Sequence, residues 1–129
     1  MKVTHKELID NALSEIETLD IDDAVALLDK EDTVFVDLRD PRELQREGKI
    51  PKAFHATRGM IEFWLDPESP YFKKVFDEKK RFLFHCRADW RSALTVQTVT
   101  TMGLENAAHI KGGLTAWCQA GGPFTKDEG

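Results

Sequence analysis

Only two cysteines, Cys86 and Cys118, occur in 129 residues. That number cannot build a disulfide framework, and it gives no sign of an oxidising compartment. Long apolar runs are missing as well; none approaches the roughly 20 residues needed to span a bilayer. The N-terminal Met1-Lys2-Val3-Thr4-His5-Lys6-Glu7 is polar and lacks the apolar centre of a secretory signal. Basic residues are outnumbered: 18 Lys and Arg against 23 Asp and Glu give a formal charge of -5 and a pI of about 5.4. Nonspecific binding to phosphate needs a basic surface, so neither a general nucleic-acid binder nor a membrane-surface binder is expected. Repeats, low-complexity tracts and long linkers are also lacking. What remains is 41% hydrophobic residues with 8 glycines, close to the globular average. The expectation is a single domain, 1–129, in the cytoplasm.

Strand-like and helix-like segments alternate along the chain. Leu8, Ile9, Ala12, Leu13 and Ile16 recur at helical spacing behind a Thr4 cap with Glu7 three residues on. A strand is expected over 17–20. Asp22 or Asp23 then caps a short helix through Ala24, Leu27 and Leu28. Residues 33–38 are apolar and rich in β-formers, as in a strand covered on both faces. Pro41 suits the first turn of a helix ending near Gly48. Residues 53–56 suggest a brief strand and 59–65 a helix, before an irregular charged stretch over 66–80. A strand over 81–86 leads to a helix over 92–102, closed by Gly103. That helix contains β-branched Thr95, Val96, Thr98, Val99, Thr100 and Thr101, which are poor helix formers. The recurrence of Ala93, Val96, Val99 and Met102 every third residue nonetheless favours a helix, since a strand would scatter them over both faces. A strand over 107–110 and a helix over 114–120 close the chain. The alternation implies parallel βαβ units and an α/β sandwich.

Ligands of such sheets bind beyond the C-terminal ends of the strands. Asp37 and Arg39, Arg58, and the run from Cys86 to Ser92 all follow expected strands. Cys86 is the informative residue. A cysteine ending a strand that leads straight into a helix sits near that helix's unpaired amides and positive dipole end. A loop curled around the sulfur would add a nest of backbone N–H groups from Arg87, Ala88, Asp89, Trp90, Arg91 and Ser92. With the charges of Arg87 and Arg91, these effects favour a nucleophilic thiolate and would also stabilise a persulfide anion. The plain alternative is a small buried core cysteine.

The stretch His85-Cys86-Arg87-Ala88-Asp89-Trp90-Arg91-Ser92 resembles the active-site loop of rhodanese-like sulfurtransferases. Three further segments resemble that family in order: Val34-Phe35-Val36-Asp37-Leu38-Arg39-Asp40-Pro41-Arg42-Glu43-Leu44, Gly48-Lys49-Ile50-Pro51-Lys52-Ala53-Phe54-His55-Ala56, and Gly112-Gly113-Leu114-Thr115-Ala116-Trp117 followed by Gly121-Gly122-Pro123. The resemblance implies a three-layer α/β/α sandwich on a five-stranded parallel sheet, with the cysteine strand in the middle. It also implies that Cys86 takes sulfane sulfur from an anionic donor such as thiosulfate and passes it to cyanide, a thiol or a sulfur-acceptor protein, without a cofactor. Asp37 and Arg39 are implied to support the loop, with Asp37 outside acid–base work.

Two positions depart from the family pattern. Asp89 stands where glycine is common, and a left-handed conformation is expected there, with the added carboxylate bearing on the choice of donor. Lys52 replaces another common glycine, with a local effect expected.

Tyrosine phosphatases place five residues between cysteine and arginine. Here four separate Cys86 from Arg91, and the next position is Ser92. The tighter loop suits one sulfur atom better than a phosphate, which favours sulfur transfer over phosphatase or arsenate-reductase activity; a non-catalytic binding module is the third reading. Arg58 is either a donor-recruiting residue at the mouth or a solvated loop arginine. Trp90 is expected at the rim, Met60 and Trp64 in the core, and Cys118 in buried packing beside Leu114. His5, His55, His85 and His109 show no ligand spacing, so no metal is expected.

Overall fold

The computed structural model describes residues 1–126; the last three residues of the expected domain lie outside the described residues. Six α-helices and five strands alternate: α1 (His5–Glu15), β1 (Glu17–Leu19), α2 (Ile21–Ala26), β2 (Thr33–Asp37), α3 (Pro41–Glu47), β3 (Phe54–His55), α4 (Ile61–Leu65), β4 (Arg81–His85), α5 (Trp90–Met102), β5 (Ala107–Ile110) and α6 (Gly113–Gln119). The strands form one sheet in the order β1-β5-β4-β2-β3, with every pairing parallel. The strand that ends before Cys86 is therefore central. Helices cover both faces, giving the expected α/β/α sandwich.

Strand alternation divides the core between the two faces. Phe82 and Phe84 of β4 join Val36, Cys86, Val96 and Val99 on the α4–α5 side. Leu83 joins Phe35, Ala108, Ile110, Leu114 and Trp117 on the α2–α6 side. The β-branched residues of α5 are buried at Thr95, Val96 and Val99. Packing against the central strands outweighs their weak helix propensity, and the helix opens at Trp90, two residues earlier than the pattern places it.

Local signals fix most helix starts. Thr4 accepts a hydrogen bond from the Glu7 amide, and Asp40 with Glu43 forms a capping box with Pro41 in the first turn of α3. The N-cap of α2 is Asp20 rather than Asp22 or Asp23, which lie inside its first turn; there their carboxylates complement the helix dipole. The stretch over 66–80 also holds more order than its charges suggest. A 3₁₀ turn, Lys74–Asp77, buries Phe76 between Phe54 and Phe82, at ring-centroid distances of 5.8 and 5.7 Å.

Lys52 occupies the left-handed region with φ 66°. An L side chain there is strained by about 1–2 kcal/mol, partly offset in glycine by its greater unfolded-state entropy. Lys52→Gly is therefore expected to raise stability by about 0.5–1 kcal/mol, read as a higher urea midpoint at unchanged slope. Asp89 differs from the expectation: φ is -129° and ψ -26°, outside the left-handed region. Its side chain explains why glycine is not needed, as described below. No helix among the described residues is long and apolar enough to cross a membrane.

Candidate active site

Cys86 directly follows the central strand and is 2% exposed. It packs among Phe82, Phe84 and Val96 and at the same time lines an open pocket of about 470 Å³ with Arg87, Ala88, Asp89, Trp90 and Arg91. The loop is held from the far side by α6: the amides of Leu114 and Thr115 donate to the carbonyls of Cys86 and Arg87, each at 3.0 Å. With those carbonyls turned toward α6, the backbone N–H groups of residues 87–92 donate to no acceptor among the described residues. They are the free amides of a loop entering a helix N-terminus.

Gly113 makes this clamp possible. Its φ is 54°, and a Cβ there would meet the carbonyl oxygens of Ala88 and Cys86, the latter at 2.6 Å. Asp89 ties the same two segments together, its Oδ1 accepting from the Gly112 amide at 2.7 Å. This bond draws Asp89 toward the β5–α6 turn and sets its backbone away from the left-handed form. Trp117 anchors that turn's helix, edge-on to Phe35 with its indole N–H donating to the Pro123 carbonyl at 2.7 Å.

The two loop arginines are not free charges. Arg91 donates to both carboxylate oxygens of Glu43, at 2.8 and 3.1 Å, and Arg87 donates to Glu47 at 2.9 Å. Hydrogen bonding to Arg91 holds the Glu43 carboxyl below its ordinary range, and the same bond raises Arg91. The sequence assigns these glutamates of α3 no role, although Glu43 lies within the segment that resembles the family. The spacing Glu43–Glu47, one helical turn on a segment leaving β2, was the available signal.

Beneath α3 lies Arg39, fully buried with Asp37. Arg39 donates to Asp37 through Nε and Nη2, the latter at 2.7 Å, and to the Gly48 carbonyl at 2.8 Å. The pair thus fixes the end of β2 to the end of α3, and α3 in turn holds the loop arginines. Burial works against the charge on Asp37. It is outweighed by His85, whose Nε2 lies 3.5 Å away, and by Arg39, which together hold the carboxyl well below the carboxylate range. A carboxyl depressed in the folded state stabilises above its unfolded value and loses that contribution as it protonates on folding's acid side. Stability is therefore expected to fall as pH drops below about 4, and Asp37→Asn should flatten that acid limb in urea titrations.

Arg58 lies beside the Cys86 pocket, in a hollow that shares Trp90 and Arg91 with it. It lines that hollow with His5, Ile9, Trp90, Arg91 and Leu94, and is not among the residues lining the Cys86 pocket. Trp90 is 62% exposed and packs on His5 at 4.8 Å between ring centroids. Trp64 is partly buried against the core, whereas Met60 ends a 3₁₀ turn with no buried residue. Cys118 is exposed, correcting the expectation of buried packing. The buried face of α6 runs through Gly113, Leu114 and Trp117, which turns Cys118 outward beside Arg87 and Phe124.

Ser92 and His109 complete the inner side of the site. Ser92 Oγ lies 3.5 Å from Cys86 Sγ and 2.8 Å from His109 Nδ1. His109 is buried, and burial lowers its affinity for a proton, with Asp89 opposing. The cue for His109 was a lone histidine in the apolar strand Ala107–Ile110, next to the cysteine strand. Among the described residues, no group of three or more His, Cys, Asp or Glu is arranged to hold a metal ion.

Residues 20–120 match the Rhodanese family, whose description is "Rhodanese-like domain". A sulfurtransferase of Allochromatium vinosum is 29% identical over 103 residues, covering 80% of this chain and 88% of the relative. The mouse thiosulfate sulfurtransferase/rhodanese-like domain-containing protein 3 is 28% identical over 97 residues, covering 71% of this chain. The match spans 62% of that mouse protein's length. A solved structure from Rhodopseudomonas palustris, of a protein of unknown function and possible tyrosine phosphatase, is 51% identical. It superposes with a TM-score of 0.94 over 97% of this chain and 96% of the other.

Proposed function

The chain belongs to the rhodanese-like domain family, and we propose that it acts as a sulfurtransferase through a persulfide on Cys86. The observation that carries this reading is the position of Cys86. It lines a pocket at the join of β4 and α5, beside amides of residues 87–92 that have no other partner. The Cys86 thiolate attacks the sulfane sulfur of a donor such as thiosulfate; the S–S bond of the donor breaks, and its electron pair leaves with sulfite. The negative charge then rests on the terminal sulfur, one bond further out, where the same amides and the helix dipole stabilise it. A nucleophilic acceptor (cyanide, a thiol or an acceptor protein) removes that sulfur and restores the thiolate. Two half-reactions through one covalent intermediate give ping-pong kinetics.

Arg87 and Arg91 present their remaining N–H groups to the donor while Glu43 and Glu47 fix them in place. Asp37 and Arg39 support the loop from below. Asp89 serves mainly as a tie to Gly112, and its carboxylate charge at a pocket-lining position disfavours bulky polyanionic donors.

A second reading, phosphatase activity, is favoured by the Rhodopseudomonas palustris protein with its 51% identity. The four-residue gap between Cys86 and Arg91 argues against it, because a phosphate with three peripheral oxygens needs a wider ring of amides. Parallel assays separate the two. The expected result is thiocyanate from thiosulfate and cyanide, none from Cys86→Ser, and no hydrolysis of an aryl phosphate. Aryl phosphate turnover without thiocyanate would establish the phosphatase instead.

A further inference from the structure

Behind the pocket, three polar side chains form a line into the protein interior. Cys86 Sγ lies 3.5 Å from Ser92 Oγ, and Ser92 Oγ lies 2.8 Å from His109 Nδ1. His109 Nε2 lies 3.2 Å from Asp89 Oδ1. Cys86, Ser92 and His109 are each at most 2% exposed. Such a row of polar groups in an apolar layer is costly unless each member is paired. We infer that His109 is a positioning residue that receives the Cys86 proton through Ser92, with Asp89 selecting the ring tautomer that can accept it. This inference rests on Cys86 being the sulfur-transferring nucleophile.

The tautomer follows from the neighbours. A bare Nε2 would set its lone pair 3.2 Å from the Asp89 carboxylate, so in the neutral ring the proton sits on Nε2, held there by the charge of Asp89 although the two are not aligned as a hydrogen bond. Nδ1 is then an acceptor, and its partner within reach is the Ser92 hydroxyl. Ser92 Oγ also lies 3.3 Å from the Asp89 backbone carbonyl, a longer contact than the 2.8 Å to His109 Nδ1; donating along the shorter one, it has its lone pairs left for the Cys86 S–H. The chain thus points one way, from sulfur to ring. Transfer reverses it: the thiol proton moves to Ser92 Oγ, the Ser92 hydroxyl proton moves to Nδ1, and no net charge is created. The product is a thiolate receiving a hydrogen bond from Ser92, and an imidazolium donating to Ser92 with its Nε2–H toward Asp89.

Burial alone makes His109 a weaker base, and Asp89 counters it; the thiolate created by the transfer is a second compensating charge. Other groups around the ring are few. β1 places Thr18 and β4 places Phe84 in register with His109, and α1 packs on α5 through Ile9 and Ala12. The titratable residues His5, Lys6 and Asp10 of α1 line the outer hollow on the far side of Asp89. His85 belongs with Asp37.

The test measures the rate of Cys86 alkylation by iodoacetamide against pH, in a Cys118→Ser background that removes the exposed thiol. His109→Gln is expected to move the midpoint upward by about one pH unit and to slow alkylation at pH 7 by about tenfold. Ser92→Ala should do the same, Ser92→Thr should keep the original midpoint, and Ser92→Ala with His109→Gln should shift no further than either alone. An unmoved midpoint in folded His109→Gln, or additive shifts in the double variant, would overturn the relay. If both variants fail to fold, ¹⁵N shifts of the His109 ring in the wild-type protein decide. Imidazolium before alkylation of Cys86 and neutral imidazole after it supports the relay, and an unchanged ring refutes it. Alkylation needs no sulfur donor, so a protein that makes no thiocyanate yet shows the shifts refutes the proposed function alone.

Discussion

Asp37→Leu is expected to destabilise the fold by about 3–5 kcal/mol, because it leaves the Arg39 guanidinium buried without its counter-ion. Arg39 is 0% exposed and Asp37 likewise, so water cannot take the missing place, and Glu47, at 3.8 Å, is left as a distant and only partial counter-charge. Against a typical total of about 5–15 kcal/mol, that loss removes a large fraction of stability. Arg39→Met should be nearly as damaging for the converse reason. The two changes combined should be milder than the sum of the singles, since a hydrophobic pair of similar volume removes the buried charges altogether. Urea denaturation of the three variants reads this directly. Additive losses would mean that the pair is not the coupled unit that ties β2 to α3.

Gly113→Ala is expected to lower sulfur-transfer activity by about a hundredfold, the scale of an ångström-sized misplacement of reacting groups. The added Cβ has nowhere to go: the carbonyls of Cys86 and Ala88 occupy its space, and the positive φ adds strain. Either the β5–α6 turn retreats or the loop does. In both cases the Leu114 and Thr115 amides lose their grip on the carbonyls of Cys86 and Arg87, which are then free to turn toward the sulfur. A carbonyl facing a thiolate repels it. The stability loss combines about 1–2 kcal/mol from the backbone conformation with about 1–3 kcal/mol from the clash, while the activity per folded molecule still falls about a hundredfold. Steady-state thiocyanate formation beside a melting curve separates the two effects.

These expectations show which features were legible in the amino-acid order. The inner strands β2, β4 and β5 announce themselves as short, mostly apolar runs, because a parallel sheet covered on both faces tolerates no polar alternation, whereas the edge strands β1 and β3 are short and only partly buried. Thr4, Asp40 and Pro41 mark helix starts through local hydrogen bonds that involve only neighbours in sequence. The placement of Cys86 followed from the same local logic, a cysteine at a strand end entering a helix.

What stayed hidden depends on contacts between distant segments. Arg87 and Arg91 read as free positive charge because Glu43 and Glu47, some 40 residues earlier, meet them only once α3 is folded over the loop. In sequence Asp89 reads as a strained stand-in for glycine, whereas in the fold its carboxylate accepts from the Gly112 amide and its backbone is not left-handed. Cys118 shares a helix face with Leu114 on paper. The buried stripe, however, is centred on Leu114 and Trp117, and a difference of 100° per residue moves the next side chain out to solvent. Phe76 lies in a stretch with no periodicity, and only its aromatic neighbours from β3 and β4 explain its burial.

The most direct measurement is the intact mass of reduced, folded protein after incubation with thiosulfate. A gain of one sulfur atom, located at Cys86, reversed by cyanide and absent from Cys86→Ser, is the predicted result. Unchanged mass on protein whose Cys86 is still alkylated by iodoacetamide would contradict the persulfide chemistry, since the thiol would then be present, accessible and unable to take up sulfur.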